Sequence, residues 1–264
     1  MRATKPRLVL DAGRALYVGR APTTTMHAHH AIQVCIALRS TLHVRSRAGP
    51  WRRLEAAIIP SDEPHQIDGA ESEAALLYLD PETPEARSLR DRYPHGKITS
   101  LRGRDLAAFR AAASTSLRPD PTGEIDGIRL DSILDHLTTP SDAGAVTDAR
   151  ILATIETLRA AGHRRLPLAT LARGVGLSAG RLGHLFRSEV GLPIRRYRLW
   201  LRLADAVDEI ARGAPLTAAA HEAGFSDSAH LARTFRRMFG ITPSSLLFVR
   251  FLRVAHTLGP ARHE

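Results

Sequence analysis

Imidazoles crowd one short stretch of the chain. His27-Ala-His29-His30 is followed by Gln33, and a further histidine, His65, closes Pro60-Ser-Asp62-Glu-Pro-His65. Ring nitrogens of this kind either ligate a transition metal or hydrogen-bond the polar groups of an organic ligand. If residues 27 to 37 are extended, the two-residue period puts His27, His29, Gln33 and Cys35 on one face, with Ile32, Val34 and Ile36 on the other. Gln33 offers a neutral carboxamide, not the anionic ligand that a hard divalent ion favours, which counts against a metal and leaves a merely structural role open as well. Cys35 is the chain's single cysteine, which excludes an intramolecular disulfide and a cysteine-based zinc finger. No activating partner is visible around it, and it reads as a small buried residue.

A second set of reactive side chains is cationic and lies near the other end. The chain carries 37 Lys+Arg against 27 Asp+Glu, a net charge of +10. Residues 1–147 hold 19 basic and 18 acidic side chains, whereas residues 148–264 hold 18 and 9. A basic C-terminal part of this kind faces a polyanion. Hydrophobic residues at 44% and charged residues at 24% are the balance of a globular protein and exclude general disorder. No run of about 18 apolar residues occurs and Met1 to Asp11 lacks a signal-peptide core, so a cytoplasmic protein without membrane contact is expected.

The elements that would position these cations form an internal repeat. Leu168, Ala172, Gly176 and Ser178 recur as Leu216, Ala220, Gly224 and Ser226 or Asp227. Small alanines let two helices cross closely, glycine takes the positive φ of a tight turn, and a hydroxyl or carboxylate caps the next helix. Leu182, Leu185 and Phe186 in the first copy, and Leu231 and Phe235 in the second, form the inner face of that next helix. Two such matches about 50 residues apart argue against an ordinary bundle with accidental glycine turns. Residues Ile194–Ala211 between them read as a long amphipathic spacer helix.

The block Ala219-Ala-His-Glu-Ala-Gly-Phe-Ser-Asp-Ser-Ala-His-Leu-Ala-Arg-Thr-Phe-Arg-Arg-Met-Phe-Gly-Ile-Thr-Pro243 resembles the motif of AraC/XylS-type transcription regulators. The resemblance covers roughly residues 148 to 250 and implies two helix-turn-helix units that place recognition helices in successive major grooves of DNA. Base-reading candidates are then Arg181, His184, Ser228, His230 and Arg233, and phosphate candidates are Arg187, Arg195, Arg236 and Arg237. Arg233 matches a base-contacting arginine of the family. Arg181 and Arg187 read equally as solvated charge or phosphate contacts, and Arg195, Arg196 and Arg198 as contacts to phosphate or solvent in preference to bases. Gly180 and Gly183 stand where larger side chains reach bases in the family, so the first unit is expected to read few bases directly.

The histidine motifs resemble, more weakly, the two short motifs of cupin barrels. Many AraC-type sensors keep a cupin-like domain for an organic effector, and His27, His29, Gln33 and His65 become the effector-pocket candidates. No cofactor is expected; if a metal were bound, His27, His29 and His65 would hold it.

The fold class expected is α+β. A cupin-like β-barrel with flanking helices spans 1–140, a linker 141–147, an all-α domain of two helix-turn-helix units (168–189 and 216–239) joined by a long helix 148–252, and a frayed tail 253–264. Strands are expected at Arg7–Asp11, Arg14–Gly19, Ala31–Leu38, Thr41–Ser46, Arg52–Ile59 and Ala74–Leu79, and helices at Thr83–Tyr93, Arg104–Leu117 and Glu124–Leu137. The last of these reads as a dimerisation helix or as a cover for the barrel. The expected protein is not an enzyme but an effector-responsive DNA-binding regulator, an activator in preference to a repressor. Its partners would be promoter DNA, RNA polymerase and a small-molecule effector, with a homodimer left open. The rival classes are a metal-dependent cupin dioxygenase or isomerase with an appended helical domain, and a nucleoid-type binder without specificity.

Overall fold

The computed structural model describes residues 5–11, 13–69, 72–93, 96–103, 106–107, 110, 125–126, 148–162, 164 and 166–255. They fall into two compact units: residues 1–26, 31–141 and 248–264 form one, and residues 27–30 with 142–247 the other.

The first unit is built from two sheets. The larger contains β1 (Arg7–Asp11), β2 (Arg14–Arg20), β3 (Ile32–Ala37), β6 (Ala56–Ile59), β8 (Glu73–Leu79), β9 (Thr99–Ser100), β10 (Ile125–Asp126) and β11 (Arg250–Ala255). Their order is β10-β11-β1-β2-β8-β3-β6-β9. The smaller sheet runs β5 (Arg52–Leu54), β4 (Leu42–Ser46), β7 (His65–Asp68). Alternation along β3 explains why all six of its residues are buried. Ile32, Val34 and Ile36 join one cluster with Leu77, Leu79 and the helix residues Ala86 and Leu89. Cys35 and Ala37 join another, with Leu76 and Ile59 and with Leu42, Val44 and Ile67 of the smaller sheet. A strand covered on both faces loses the apolar-polar alternation of a half-exposed one. Helix α1 (Pro84–Arg92) is capped at Thr83, whose hydroxyl accepts from the Ala86 amide, and Pro84 fits its first turn.

Five strands form close to where the alternation places them. The expected Arg52–Ile59 strand instead breaks at Glu55, and its halves β5 and β6 enter different sheets. Strand β7 was not expected: His65-Gln-Ile-Asp68 has a single apolar residue, too little for a period. The larger correction concerns the C-terminus. Residues 250–255 are not the end of a helical domain and the start of a tail. They form β11, parallel to β1 with Leu8 opposite Phe251 and Val9 opposite Leu252. Where a helix was expected over Glu124–Leu137, Ile125 and Asp126 pair instead with β11. The remainder of that helix, most of Arg104–Leu117, the linker 141–147 and residues 256–264 lie outside the described residues.

The second unit is helical: α2 (Ala149–Ala161), α3 (Leu168–Gly174), α4 (Ala179–Val190), α5 (Ile194–Ala211), α6 (Leu216–Glu222) and α7 (Ser228–Phe239), with a 3-10 turn at Pro243–Phe248. Ile151, Ile155 and Leu158 of α2 pack with Leu171, Ala172, Leu182, Phe186 and Tyr197. Phe186 meets the Tyr197 ring edge-on at 5.4 Å. Removing a fully buried aromatic of this kind costs about 3–5 kcal/mol. No helix among the described residues is long and apolar enough to cross a membrane.

Candidate nucleic-acid interface

Both helix-turn-helix units form where the repeat places them. Gly176 and Gly224 have φ of +67° and +73°, the left-handed backbone that lets the chain turn between α3 and α4 and between α6 and α7. Ala172 and Ala220 are buried at the helix crossings. Ser178 caps α4, its hydroxyl accepting from the Arg181 amide. Of the two candidates for the second cap, Asp227 takes the role, accepting from the His230 amide at 2.7 Å. With Leu182 and Phe186 buried on α4, and Leu231, Thr234 and Phe235 buried on α7, the opposite faces are left to solvent.

Those faces carry the expected cations. Arg181, His184 and Arg187 on α4, Arg195 and Arg196 on α5, and Arg233, Arg236 and Arg237 on α7 are all exposed, while Ser228 and His230 are partly so. At Gly180 and Gly183 a Cβ would meet nothing within 4 Å, so the first recognition helix is bare there. The Asp227 carboxyl is held below its ordinary range, first by the His230 amide and then by the Ser226 hydroxyl. Asp148, the cap of α2, is lowered to about 2, mainly by the Arg150 side chain.

On the spacer helix Arg198 is more than a solvated charge: it donates to the carbonyls of Leu166, at 2.6 Å, and Arg164, at 3.0 Å. Arg202, which the sequence did not single out, does the same for the second unit. Its guanidinium donates to the Ala223 carbonyl at 2.9 Å and to the Gly224 carbonyl, and lies 4.3 Å from the Phe225 ring. One helix thus ties down the chain entering α3 and the turn after α6, four residues apart and hence on one helical face. Four-residue spacing of arginines was the signal available, but it does not specify carbonyl partners.

The four effector-pocket candidates do not share one strand face. Strand β3 begins only at Ile32, and His27–His30 group with the helical unit. There His30 lies edge-on to Tyr197 and Trp200, at 5.9 and 6.4 Å, and His29 stacks on Phe239 at 5.9 Å. The His27 and His29 rings are 5.7 Å apart. Gln33 and His65 remain in the β unit, both fully buried. His65 Nε2 lies 3.1 Å from Gln33 Oε1, His65 Nδ1 2.8 Å from the Glu63 carbonyl, and the Gln33 amide donates to the Tyr78 hydroxyl at 3.2 Å. A neutral His65 ring has one N–H and so donates to only one of these two oxygens; that bond and the Gln33–Tyr78 bond offset part of the cost of burying polar groups in an apolar core. Burial pushes the Cys35 thiol and the Tyr78 phenol well up, so neither ionises near neutrality.

Comparison with known proteins places this geometry. An apo ToxT variant from Vibrio cholerae has a similar structure over 90% of this chain and 98% of its own, with TM-score 0.61 and 11% identity. ToxT bound to (E)-4-(8-methylnaphthalen-1-yl)but-3-enoic acid is similar over 90% and 99%, with TM-score 0.57 and 10% identity. ToxT bound to an unsaturated fatty acid is similar over 92% and 93%, with TM-score 0.54 and 11% identity. At these identities the likeness is one of fold. No curated protein matches the chain by sequence. Residues 171–247 match the helix-turn-helix domain family, over the segment in which both glycine turns and both recognition helices lie. Residues 171–247 are therefore a helix-turn-helix domain.

Proposed function

We propose that the protein is a sequence-specific regulator that binds promoter DNA through α4 and α7, activates transcription, and answers to a small-molecule effector held in the β unit. The observation that carries the DNA reading is the pair of capped recognition helices whose outward faces hold Arg181, His184 and Arg187, and Ser228, His230 and Arg233. Guanidinium, imidazole and hydroxyl groups on the first turns of such helices reach base edges in the major groove. Arg195, Arg236 and Arg237 are suited to phosphate, which fixes register without reading sequence.

The effector reading is supported by Gln33, His65 and Tyr78, a buried polar group in an otherwise apolar core. Such convergent donors and acceptors orient an organic ligand. The ToxT structures with a butenoic acid derivative and with an unsaturated fatty acid make carboxylic acids of that kind the first compounds to try. Activation brings RNA polymerase in as the partner.

The test is selection of duplexes from a random pool by the full-length protein. An enriched consensus, with affinity falling steeply as salt rises, supports the reading. Binding equally tight to all sequences would leave a non-specific nucleoid-type binder instead. Effector response is then measured as a change in affinity for the selected duplex on adding an unsaturated fatty acid. His65→Ala should abolish that change while leaving ligand-free affinity intact.

A further inference from the structure

We infer that His230 reads an amino-bearing base: its Nε2 accepts a hydrogen bond from the exocyclic amino group of adenine or cytosine in the major groove. This deepens the DNA reading proposed above and rests on it.

The cap of α7 holds too few protons for both nitrogens of His230 to carry one. Asp227 Oδ1 accepts from the His230 backbone amide at 2.7 Å, and Oδ2 accepts from the Ser226 hydroxyl at 2.9 Å. Both bonds hold the carboxyl below its ordinary range, so it is ionised and has no proton to return. The Ser226 hydroxyl has one hydrogen, and that hydrogen points to Asp227. At the 3.1 Å contact between Ser226 Oγ and His230 Nδ1, the hydroxyl oxygen must therefore accept and Nδ1 must carry the proton. A neutral imidazole has one N–H, so the other nitrogen, Nε2, is left with a lone pair. Among the described residues nothing bonds to it.

The ring is also held in place. It meets the Phe225 ring at 5.3 Å and 85°, and the Arg202 guanidinium lies 4.3 Å from that same ring. Arg202 is itself fixed on the turn carbonyls of Ala223 and Gly224. An acceptor on a rigid ring beside the first turn of a recognition helix discriminates in the major groove. Adenine N6 and cytosine N4 donate there, whereas guanine and thymine present acceptors at the corresponding positions. Arg233, three residues on and so on the same face, can only donate, which suits guanine. The two side chains thus ask for opposite hydrogen-bond polarity at neighbouring bases. Among the described residues no Ser-Asp pair bonds His184 on α4, so this fixed polarity belongs to the second unit.

The experiment uses the full-length protein at about pH 8, above the ordinary imidazole range. Duplexes are selected with wild type, His230→Ala and Ser226→Ala. The wild-type consensus should show one adenine or cytosine whose preference disappears in His230→Ala. Replacing that base with its analogue lacking the amino group, purine for adenine or pyrimidin-2-one for cytosine, should weaken wild type roughly tenfold and leave His230→Ala unaffected. Ser226→Ala keeps the Asp227 cap but frees Nδ1, so the same position should become tolerant of guanine or thymine with the rest of the consensus retained. A wild-type protein indifferent to the missing amino group, or a His230→Ala consensus identical at every position, overturns this inference and leaves the DNA reading standing. A wild type that enriches no consensus overturns both.

Discussion

Two glycines of the first helix-turn-helix unit should respond to the same substitution with opposite sign. Gly183 is interior to α4 and its backbone φ is negative; Gly176 forms the preceding turn at φ +67°. A Cβ added at either meets nothing within 4 Å, so neither packing nor clash distinguishes them. At Gly183 alanine restores helix propensity and restricts the unfolded chain, which should stabilise by about 0.5–1 kcal/mol. At Gly176 it meets the left-handed penalty of a β-carbon, about 1–2 kcal/mol, and should destabilise. The two variants should therefore separate by roughly 1.5–3 kcal/mol. In a cooperative unit of about 100 residues, the Gly183→Ala gain corresponds to a rise of about 2–8 °C in Tm. Thermal and urea unfolding of the full-length protein, followed by helix content, measures both. Shifts of the same sign would refute the claim that backbone conformation alone sets the role of these glycines. Gly183→Ala should also leave the selected DNA consensus unchanged, because a methyl group adds no donor.

Further expectations follow from the same geometry. Arg233→Ala should flatten one position of the selected consensus, as expected for a lost bidentate contact to guanine worth about 1–3 kcal/mol, while Arg236→Ala and Arg237→Ala should weaken all duplexes alike and make the salt slope shallower. Asp148 and Asp227 have folded-state values below their ordinary ones. The contribution of Asp148 to stability is thus full above about pH 4 and lost as pH falls toward about 2, and that of Asp227 is likewise lost as pH falls below the ordinary carboxylate value. Unfolding measured over that window should lose part of its pH slope in the double Asn variant. Purified protein should contain well below one equivalent of zinc, iron or manganese; a full equivalent, lost on changing His65 to Ala, would favour the cupin-enzyme alternative.

Sequence alone determined what is decided within a few residues. The Leu-Ala-Gly spacing around Ala172 and Ala220, the positive φ at Gly176 and Gly224 and the caps at Ser178 and Asp227 are local demands of helix crossing, turn and helix start. So are the outward faces of α4 and α7, because helical period assigns inside and outside once Leu182, Phe186, Leu231 and Phe235 are known to be apolar. The face alternation of β3 was legible for the same reason, from Ile32 onward. Tertiary structure decided the rest. Only pairing with β1 makes Arg250–Ala255 a strand, since its partner lies at the other end of the chain and ladder bonds leave no spacing pattern. Only the division between two sheets breaks Arg52–Ile59 at Glu55. The packing of His29 and His30 on Phe239, Tyr197 and Trp200, and the carbonyls held by Arg198 and Arg202, likewise depend on distant segments meeting. A side chain's type states what it can bond to; which distant group comes within reach is settled by the packing of the whole fold.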